Sequence, residues 1–183
     1  MSDVLPTFEV IQNAYVVNDI DQSIERMTRD AGLGPWLVNR NIQLPKVLYR
    51  GKEAELEISV AFTQAADVQI ELIQQHNDGP SCYRDKYAAG EQGFHHTAMF
   101  VPDYEGAIKA YEDAGYPCAE YFELADNGSA AYMDTWPLLG HMVELYRDTQ
   151  GIHDLYKAVL DLCDNVSDRR HVQDGDIVRI IAP

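Results

Sequence analysis

Basic residues are scarce in this chain of 183 residues: 14 Lys plus Arg face 30 Asp plus Glu, for a formal net charge of −16 at pH 7. A surface this acidic repels phosphate backbones and anionic headgroups, which argues against sequence-independent nucleic-acid binding and against electrostatic docking to a membrane. Cysteine is also sparse. Cys82, Cys118 and Cys163 are odd in number and no two stand in a CxxC spacing. Neither a disulfide framework nor a thiolate zinc site is expected; a reducing compartment fits, with each cysteine a small buried hydrophobe. No run of about 18 apolar residues occurs, so no membrane-spanning helix is expected. The opening Met1-Ser2-Asp3-Val4-Leu5-Pro6 has no basic stretch leading into an apolar one, so no secretory leader is expected and the cytoplasm is the expected location. What the chain does have is apolar bulk: 46% hydrophobic residues, with 11 Tyr, 5 Phe and 2 Trp. That suffices for a core without covalent staples.

The sequence repeats itself. Ile11 to Asp19 reappears at His95 to Asp103, a shift of 84 residues that places Gln12 on His96, Ala14 on Ala98, Val17 on Val101 and Asp19 on Asp103 without a gap. In both copies the Asp precedes a segment of helical period, with Ile20, Ile24 and Met27 in one and Ala107, Ile108 and Tyr111 in the other. Gly32 and Gly115 are the expected helix stops. Asp19 and Asp103 are expected to cap their helices rather than to take part in chemistry.

Short runs with strand character follow each helix. In the first half Pro35 to Leu44 is the weaker candidate; Glu55 to Thr63 puts Leu56, Ile58, Val60 and Phe62 on one face, and Asp67 to Ile73 is a further strand. The second half offers Cys118 to Leu124, a turn at Asp126-Asn127-Gly128, Ala130 to Asp134 and His141 to Tyr146. Each half therefore reads strand, helix, strand, strand, strand. The expected division is a first module over 1–76, a linker over 77–93, a second module over 94–149 and a helical extension over 150–183. In the extension, Ile152, Leu155, Tyr156, Val159, Leu160 and Cys163 trace an apolar helical face. A polar connection from Asp164 to Asp176 and a closing strand over Ile177 to Ile181 are expected after it.

Polar residues on otherwise apolar strands stand out against this frame. Gln12 and His96 are equivalent by the shift, while Glu71 and Glu144 occupy matching final strands, in Ile70-Glu71-Leu72 and Val143-Glu144-Leu145. A carboxylate in such surroundings is costly to bury unless it is paired, protonated or bound to a metal. Two of them, related by internal pseudo-symmetry and matched with a Gln/His pair, point to a shared pocket between the halves. One imidazole nitrogen, two carboxylates and one amide oxygen form a mixed set suited to one divalent ion: Zn²⁺, Ni²⁺, Co²⁺, Fe²⁺ or Mn²⁺.

The duplicated frame with Val-x-Asp after the first strand, together with Met133-Asp134-Thr135-Trp136-Pro137-Leu138-Leu139-Gly140-His141-Met142-Val143-Glu144-Leu145-Tyr146, resembles the vicinal oxygen chelate superfamily. That superfamily includes glyoxalase I, methylmalonyl-CoA epimerase, extradiol dioxygenases and bleomycin-resistance proteins. The resemblance covers about residues 8 to 149. It implies an α+β fold in which two tandem βαβββ modules form a cupped mixed sheet around one site, with the C-terminal helix as an addition. It also implies metal ligands at Gln12, Glu71, His96 and Glu144. The first position is often His in this superfamily and is Gln12 here, a set some zinc-type glyoxalases use and one that argues against an iron site of two His and one carboxylate. The strand neighbour His95 is expected on the opposite face of the sheet and so outside the site.

The chemistry implied is proton transfer next to a metal-polarised carbonyl through an enolate, with Glu71 and Glu144 as the candidate bases. The expectation is a lyase or isomerase of the glyoxalase and epimerase type acting on a small carbonyl compound or a thioester of the CoA kind. The alternatives are a metal-free sequestering protein of the bleomycin-resistance type, in which Glu71 and Glu144 would be hydrogen-bonded or solvated, and a ring-cleaving dioxygenase. Tyr15, Trp36, Tyr49, Tyr132 and Trp136 are candidate pocket aromatics, more simply core. Arg40, Lys46, Arg50, Lys52 and Arg84 could form a local basic patch. His76, His153 and His171 are expected at the surface, and His141 is expected to point away from Glu144. A homodimer is expected, in which the apolar face of the C-terminal helix could be buried.

Overall fold

The structure is a computed structural model that describes residues 5–124 and 127–175. The first half runs β1 (Gln12–Val16), α1 (Ile20–Ala31), β2 (Trp36–Gln43), a small hairpin of β3 (Val47–Tyr49) and β4 (Lys52–Ala54), then β5 (Glu57–Ala65) and β6 (Val68–Gln75). The second half runs β7 (Gly93–Val101), α2 (Tyr104–Asp113), β8 (Cys118–Glu123), β9 (Ser129–Met133), a short α3 (Trp136–Leu139) and β10 (Met142–Arg147). Helix α4 (Gln150–Asn165) and β11 (Val172–Asp174) follow. The fold is α+β, with one curled mixed sheet in the order β11-β2-β5-β6-β1-β7-β10-β9-β8-β3-β4.

The repeat is written into the register. Strands β1 and β7 pair antiparallel, with Gln12 opposite Ala98, Asn13 opposite Thr97 and Ala14 opposite His96. Because Asn13 and Thr97 are each other's equivalents under the shift of 84, a pseudo-twofold axis passes through that pair. Both helices start as expected: Asp19 accepts from Gln22 N and Asp103 from Gly106 N, each at 3.0 Å. Gly32 closes α1 at φ 70°, the left-handed conformation that glycine adopts without steric cost.

Alternation along the strands sorts side chains onto two faces. On the outer, convex face α1 packs over Trp36, Val38, Ala61, Ile70 and Leu72, and α2 over Met99, Val101, Ala131, Val143 and Leu145. The inner face holds Leu37, Val60, Phe62, Ile73, Tyr132, Met142 and Tyr146, packed against Ile152, Leu155, Val159 and Leu162 of α4. Most of the apolar face of α4 is thus covered within its own chain, while Leu160 of that face stays exposed.

Two further features depart from the sequence reading. The hairpin β3–β4 belongs to the first half, yet β3 pairs with β8 at the far edge of the second, so the chain bridges the two ends of the curled sheet. Strand β11 pairs parallel with β2 and falls inside the segment expected to be a polar connection, because even exposed residues find ladder partners on β2's open edge. The expected closing strand at Ile177 to Ile181, and Asp126 of the expected turn, lie outside the described residues. The connection between halves is not a loose tether: Ser81, Cys82 and Tyr83 are fully buried, and Ser81 Oγ donates to Gln75 Oε1 at 2.6 Å. Among the described residues no helix is long and apolar enough to cross a membrane.

Candidate metal centre

The register decides which side chains meet. In the parallel pairs flanking the pseudo-axis, Ala14 lies beside Glu71 and Ala98 beside Glu144. One row across the sheet is therefore Glu71, Ala14, His96, Met142; the next is Gln69, Gln12, Ala98, Glu144. All face inward. Ala14 and Ala98, both fully buried, offer only methyl groups and leave the space between them to the longer neighbours.

Into that space come Glu71, His96 and Glu144, whose candidate ligand atoms all lie within 4.8 Å of one another. His96 and Glu144 are 0% exposed and Glu71 5%. His96 Nε2 is 3.0 Å from Glu144 Oε2 and 3.5 Å from Glu71 Oε2. Among the described residues, however, His96 Nε2, Glu71 Oε2 and both Glu144 oxygens lack an aligned hydrogen-bond partner. Close approach without alignment is what atoms aimed at a common point, rather than at each other, would show. Two buried carboxylates beside one imidazole also leave uncompensated negative charge, so the donor set fits a divalent cation of the zinc, nickel, cobalt, manganese or iron kind.

In the protein alone, burial pushes the Glu71 carboxyl up to about 7, with the neighbouring Glu144 charge adding to it against the pull of His96. For His96, burial opposes the imidazolium, but Glu144 and Glu71 outweigh it and lift its pKa to about 9. A proton on His96 thus stands where a cation would. Burial, followed by the negative Glu144, keeps the phenols of Tyr132, Tyr146 and Tyr156 protonated.

Gln12 is buried in the same layer but is engaged differently. Its Nε2 donates to Gln69 Oε1 at 2.6 Å, and its Oε1 accepts a long bond of 3.4 Å from the Tyr146 hydroxyl. Its free carbonyl lone pair is the only donor it could turn to an ion.

His95 departs from expectation. The pairing slips between Ala14 and Tyr15, so that Tyr15 faces Phe94 while Ala14 faces His96, leaving His95 as the extra residue of a β-bulge. Strict alternation fails there, and His95 points inward beside His96: their Nδ1 atoms are 3.0 Å apart, and His95 Nε2 is 3.1 Å from the Cys82 carbonyl. His141 packs edge-on against Phe94, with its Nδ1 2.8 Å from the Met142 carbonyl, and His76, His153 and His171 are exposed.

Of the candidate aromatics, Tyr132 packs edge-on against His96 at 4.9 Å, whereas Trp36 lies on the outer face with its Nε1 donating to Thr28 and Tyr15 stacks on Phe94. Four of the five candidate basic residues are engaged with partners of their own. Arg40 pairs with Asp21 and Asp174, Lys46 with Glu123, Arg50 with Asp85 and Asp134, and Arg84 donates to the Gln75 carbonyl.

Sequence reasoning also missed two buried groups. Glu120, opposite Tyr132 on β8, accepts from Cys82 N at 2.7 Å, and burial lifts its carboxyl to about 7. Its signal was a carboxylate in an apolar strand like those of Glu71 and Glu144, but the repeat gives it no partner. Tyr156 brings its hydroxyl down from α4 to where Glu144 and Glu71 act on it, buried and without a hydrogen-bond partner among the described residues. An open cleft of about 290 Å³ among Tyr15, Arg26, Met27 and Gln92 lies on the outer side of the sheet and contains none of the four residues of the centre.

A duplicated module whose symmetry-related strands deliver a metal-type donor set defines a class, and the sequence matches it. The chain belongs to the Glyoxalase/Bleomycin resistance protein/Dioxygenase superfamily, whose model matches residues 11–132. Among solved structures it is similar to hypothetical protein BH1468 from Bacillus halodurans C-125, at 16% identity and a TM-score of 0.52 over 78% of this chain and 95% of that one. Methylmalonyl-CoA epimerase from Mycobacterium tuberculosis is similar at 16% identity and a TM-score of 0.47, over 82% and 96%. A single-residue variant of the Streptomyces coelicolor methylmalonyl-CoA epimerase, in complex with 2-nitronate-propionyl-CoA, is similar at 13% and 0.46, over 78% and 95%. No curated protein matches the sequence.

Proposed function

We propose that the protein is a metal-dependent lyase or isomerase of the glyoxalase and epimerase type, moving a proton next to the carbonyl of a small carbonyl compound or a thioester. Glu71, His96 and Glu144 hold one divalent ion, with the Gln12 carbonyl as a fourth donor. The observation that carries this reading is the convergence within 4.8 Å of buried ligand atoms from both halves that lack an aligned hydrogen bond among the described residues. When bound, the ion supplies a Lewis acid that polarises a carbonyl oxygen and offsets the negative charge developing as the neighbouring C–H bond is broken.

Glu71 and Glu144 come from opposite sides of the pseudo-axis, so one can take a proton from one face of a substrate and the other return it to the opposite face. Tyr146 and Tyr156, both protonated, can donate to a substrate oxygen. Their rings, with the apolar face of α4, exclude water from the reacting atoms. The donor set is buried and α4 covers the inner face, so displacement of α4 is the route we propose for substrate.

The same observation weighs against a metal-free sequestering protein, in which the two carboxylates would be hydrogen-bonded or solvated. A dioxygenase site of two imidazoles and one carboxylate is disfavoured because both nitrogens of His95 are already engaged. A homodimer remains compatible.

The test begins with elemental analysis of full-length protein purified without chelator, expected to give about one transition metal per chain, lost in His96→Ala. In D₂O the loaded protein is then expected to wash deuterium into the acidic C–H of a panel of CoA thioesters and hemithioacetals, and Glu144→Gln and Glu71→Gln are expected to slow that exchange. A protein that holds no metal and leaves every C–H unexchanged would falsify the proposal.

A further inference from the structure

We propose that His95 is a positioning residue: by accepting a hydrogen bond from His96 Nδ1–H, it holds His96 in the tautomer that presents a bare Nε2 lone pair to the space shared with Glu71 and Glu144. This inference rests on the reading of that space as a metal centre. The Cys82 carbonyl can only accept, so the His95 nitrogen 3.1 Å from it, Nε2, carries a hydrogen.

His95 is wholly buried, ringed by Tyr83, Tyr87, Tyr132 and Trp136 with centroids 5.1 to 6.5 Å away. None of these is an anion that could hold a second proton on it, so a buried His95 with no counter-charge beside it is neutral. A neutral His95 with its hydrogen on Nε2 has a lone pair on Nδ1. The atom facing that lone pair at 3.0 Å, His96 Nδ1, must then be the donor.

The consequence is specific, because the local field works the other way. With two carboxylates 3.0 and 3.5 Å from His96 Nε2, a neutral His96 left to itself would place its hydrogen there and present no ligand atom to a cation. His95 competes for that hydrogen from the other side of the ring. This is how the outer partner of a metal-ligating histidine selects tautomer and ring orientation, and losing such a partner typically weakens metal binding 10- to 100-fold. The β-bulge makes the arrangement possible, since in a regular strand consecutive residues cannot meet on one face. The first half has Ile11 at the equivalent position, next to a Gln12 that has no tautomer to set.

The test uses full-length protein with ¹⁵N-labelled histidine. Imidazole ¹⁵N shifts of the metal-free protein, followed along a pH series until both rings are neutral, are expected to show opposite tautomers in adjacent residues: Nε2–H for His95 and Nδ1–H for His96. His95→Leu is expected to move His96 toward the Nε2–H form and to weaken Co²⁺ binding 10- to 100-fold. His95→Gln is expected to restore both to within a few-fold, because an amide can accept from His96 and donate to the Cys82 carbonyl. The proposal is overturned if wild-type His96 carries its hydrogen on Nε2, or if His95→Leu changes neither tautomer nor affinity. Should His95→Leu not fold, the wild-type spectrum decides alone. If wild-type protein takes up no Co²⁺, the metal reading fails while the tautomer pair still supports or refutes the role of His95.

Discussion

The two halves share one backbone plan and differ in chemistry at the matched positions. Gln12 in the first half faces Gln69, and the two amides satisfy each other at 2.6 Å. Its counterpart His96 has Met142 across the parallel pair and leaves Nε2 without an aligned partner. Ile11, beside Gln12, packs against the inner core, whereas its counterpart His95 hydrogen-bonds its neighbour. Among the four candidate ligands, only Glu71 and Glu144 are the same residue in both halves. Duplication supplied the geometry twice, but the strong neutral ligand sits on one side alone, so the centre is symmetric in its carboxylates and asymmetric in its other donors.

The largest expected effect tests that asymmetry. His96→Ala is expected to weaken Zn²⁺ or Co²⁺ binding by at least about a thousandfold, removing a charge-independent ligand from a buried site, and Gln12→Ala by no more than about tenfold. Equal losses, read by competition with a chromophoric chelator, would show that the halves contribute alike.

The next test uses pH. The folded pKa values of Glu71 and His96 lie above their ordinary ones of 4.5 and 6.5, at about 7 and about 9. The native state therefore binds protons more tightly than the unfolded chain over those intervals. The stability that these two groups confer on the metal-free protein is full below about pH 4.5 and is lost as pH rises to about 9, by on the order of a few kcal/mol. Metal needs both groups deprotonated, so its affinity rises over the same range. Melting curves are expected to show a gap between loaded and chelated protein that widens from pH 6 to pH 9; a constant gap would remove the coupling.

A third test concerns α4, which lies on the first half through β5 and β2. Thr63 Oγ1 and Cys163 Sγ are 3.7 Å apart, so Thr63→Cys is expected to form a reducible cross-link between β5 and α4. Removal of Co²⁺ by chelator is expected to slow about tenfold in the oxidised variant and to recover on reduction. Release at the same rate in both forms would place the route elsewhere. The smallest effect checks what the halves have in common: Asp19→Ala and Asp103→Ala are each expected to cost about 1 kcal/mol in chemical denaturation, nearly equally.

Much of the frame was legible because it recurs. The shift from Gln12 to His96 exposed β1 and β7, the caps at Asp19 and Asp103 fixed both helix starts, and Glu71 and Glu144 stood out as charges among apolar neighbours. What escaped notice depended on non-local partners or on broken periodicity. A three-residue strand such as β3 is too short for alternation to register, and its partner β8 lies far along the chain. The usable hint was Arg50-Gly51, whose positive φ values of 46° and 76° make a two-residue hairpin turn. The bulge at His95 changes which face a residue occupies without changing any residue's identity, so an argument from period two alone had to misplace it. The amphipathic pattern of α4 was plain, but a pattern states that a face will be covered and not by what.

The hairpin β3–β4 makes each half depend on the other for a complete sheet edge. By lending its strand to β8, the first half is a structural part of the second, and Lys46 to Glu123 and Arg50 to Asp134 fasten the loan. Cut the gene between the copies, and the later fragment would be left with a bare β8 edge open to stray partners. The two halves are thereby tied into one structural unit.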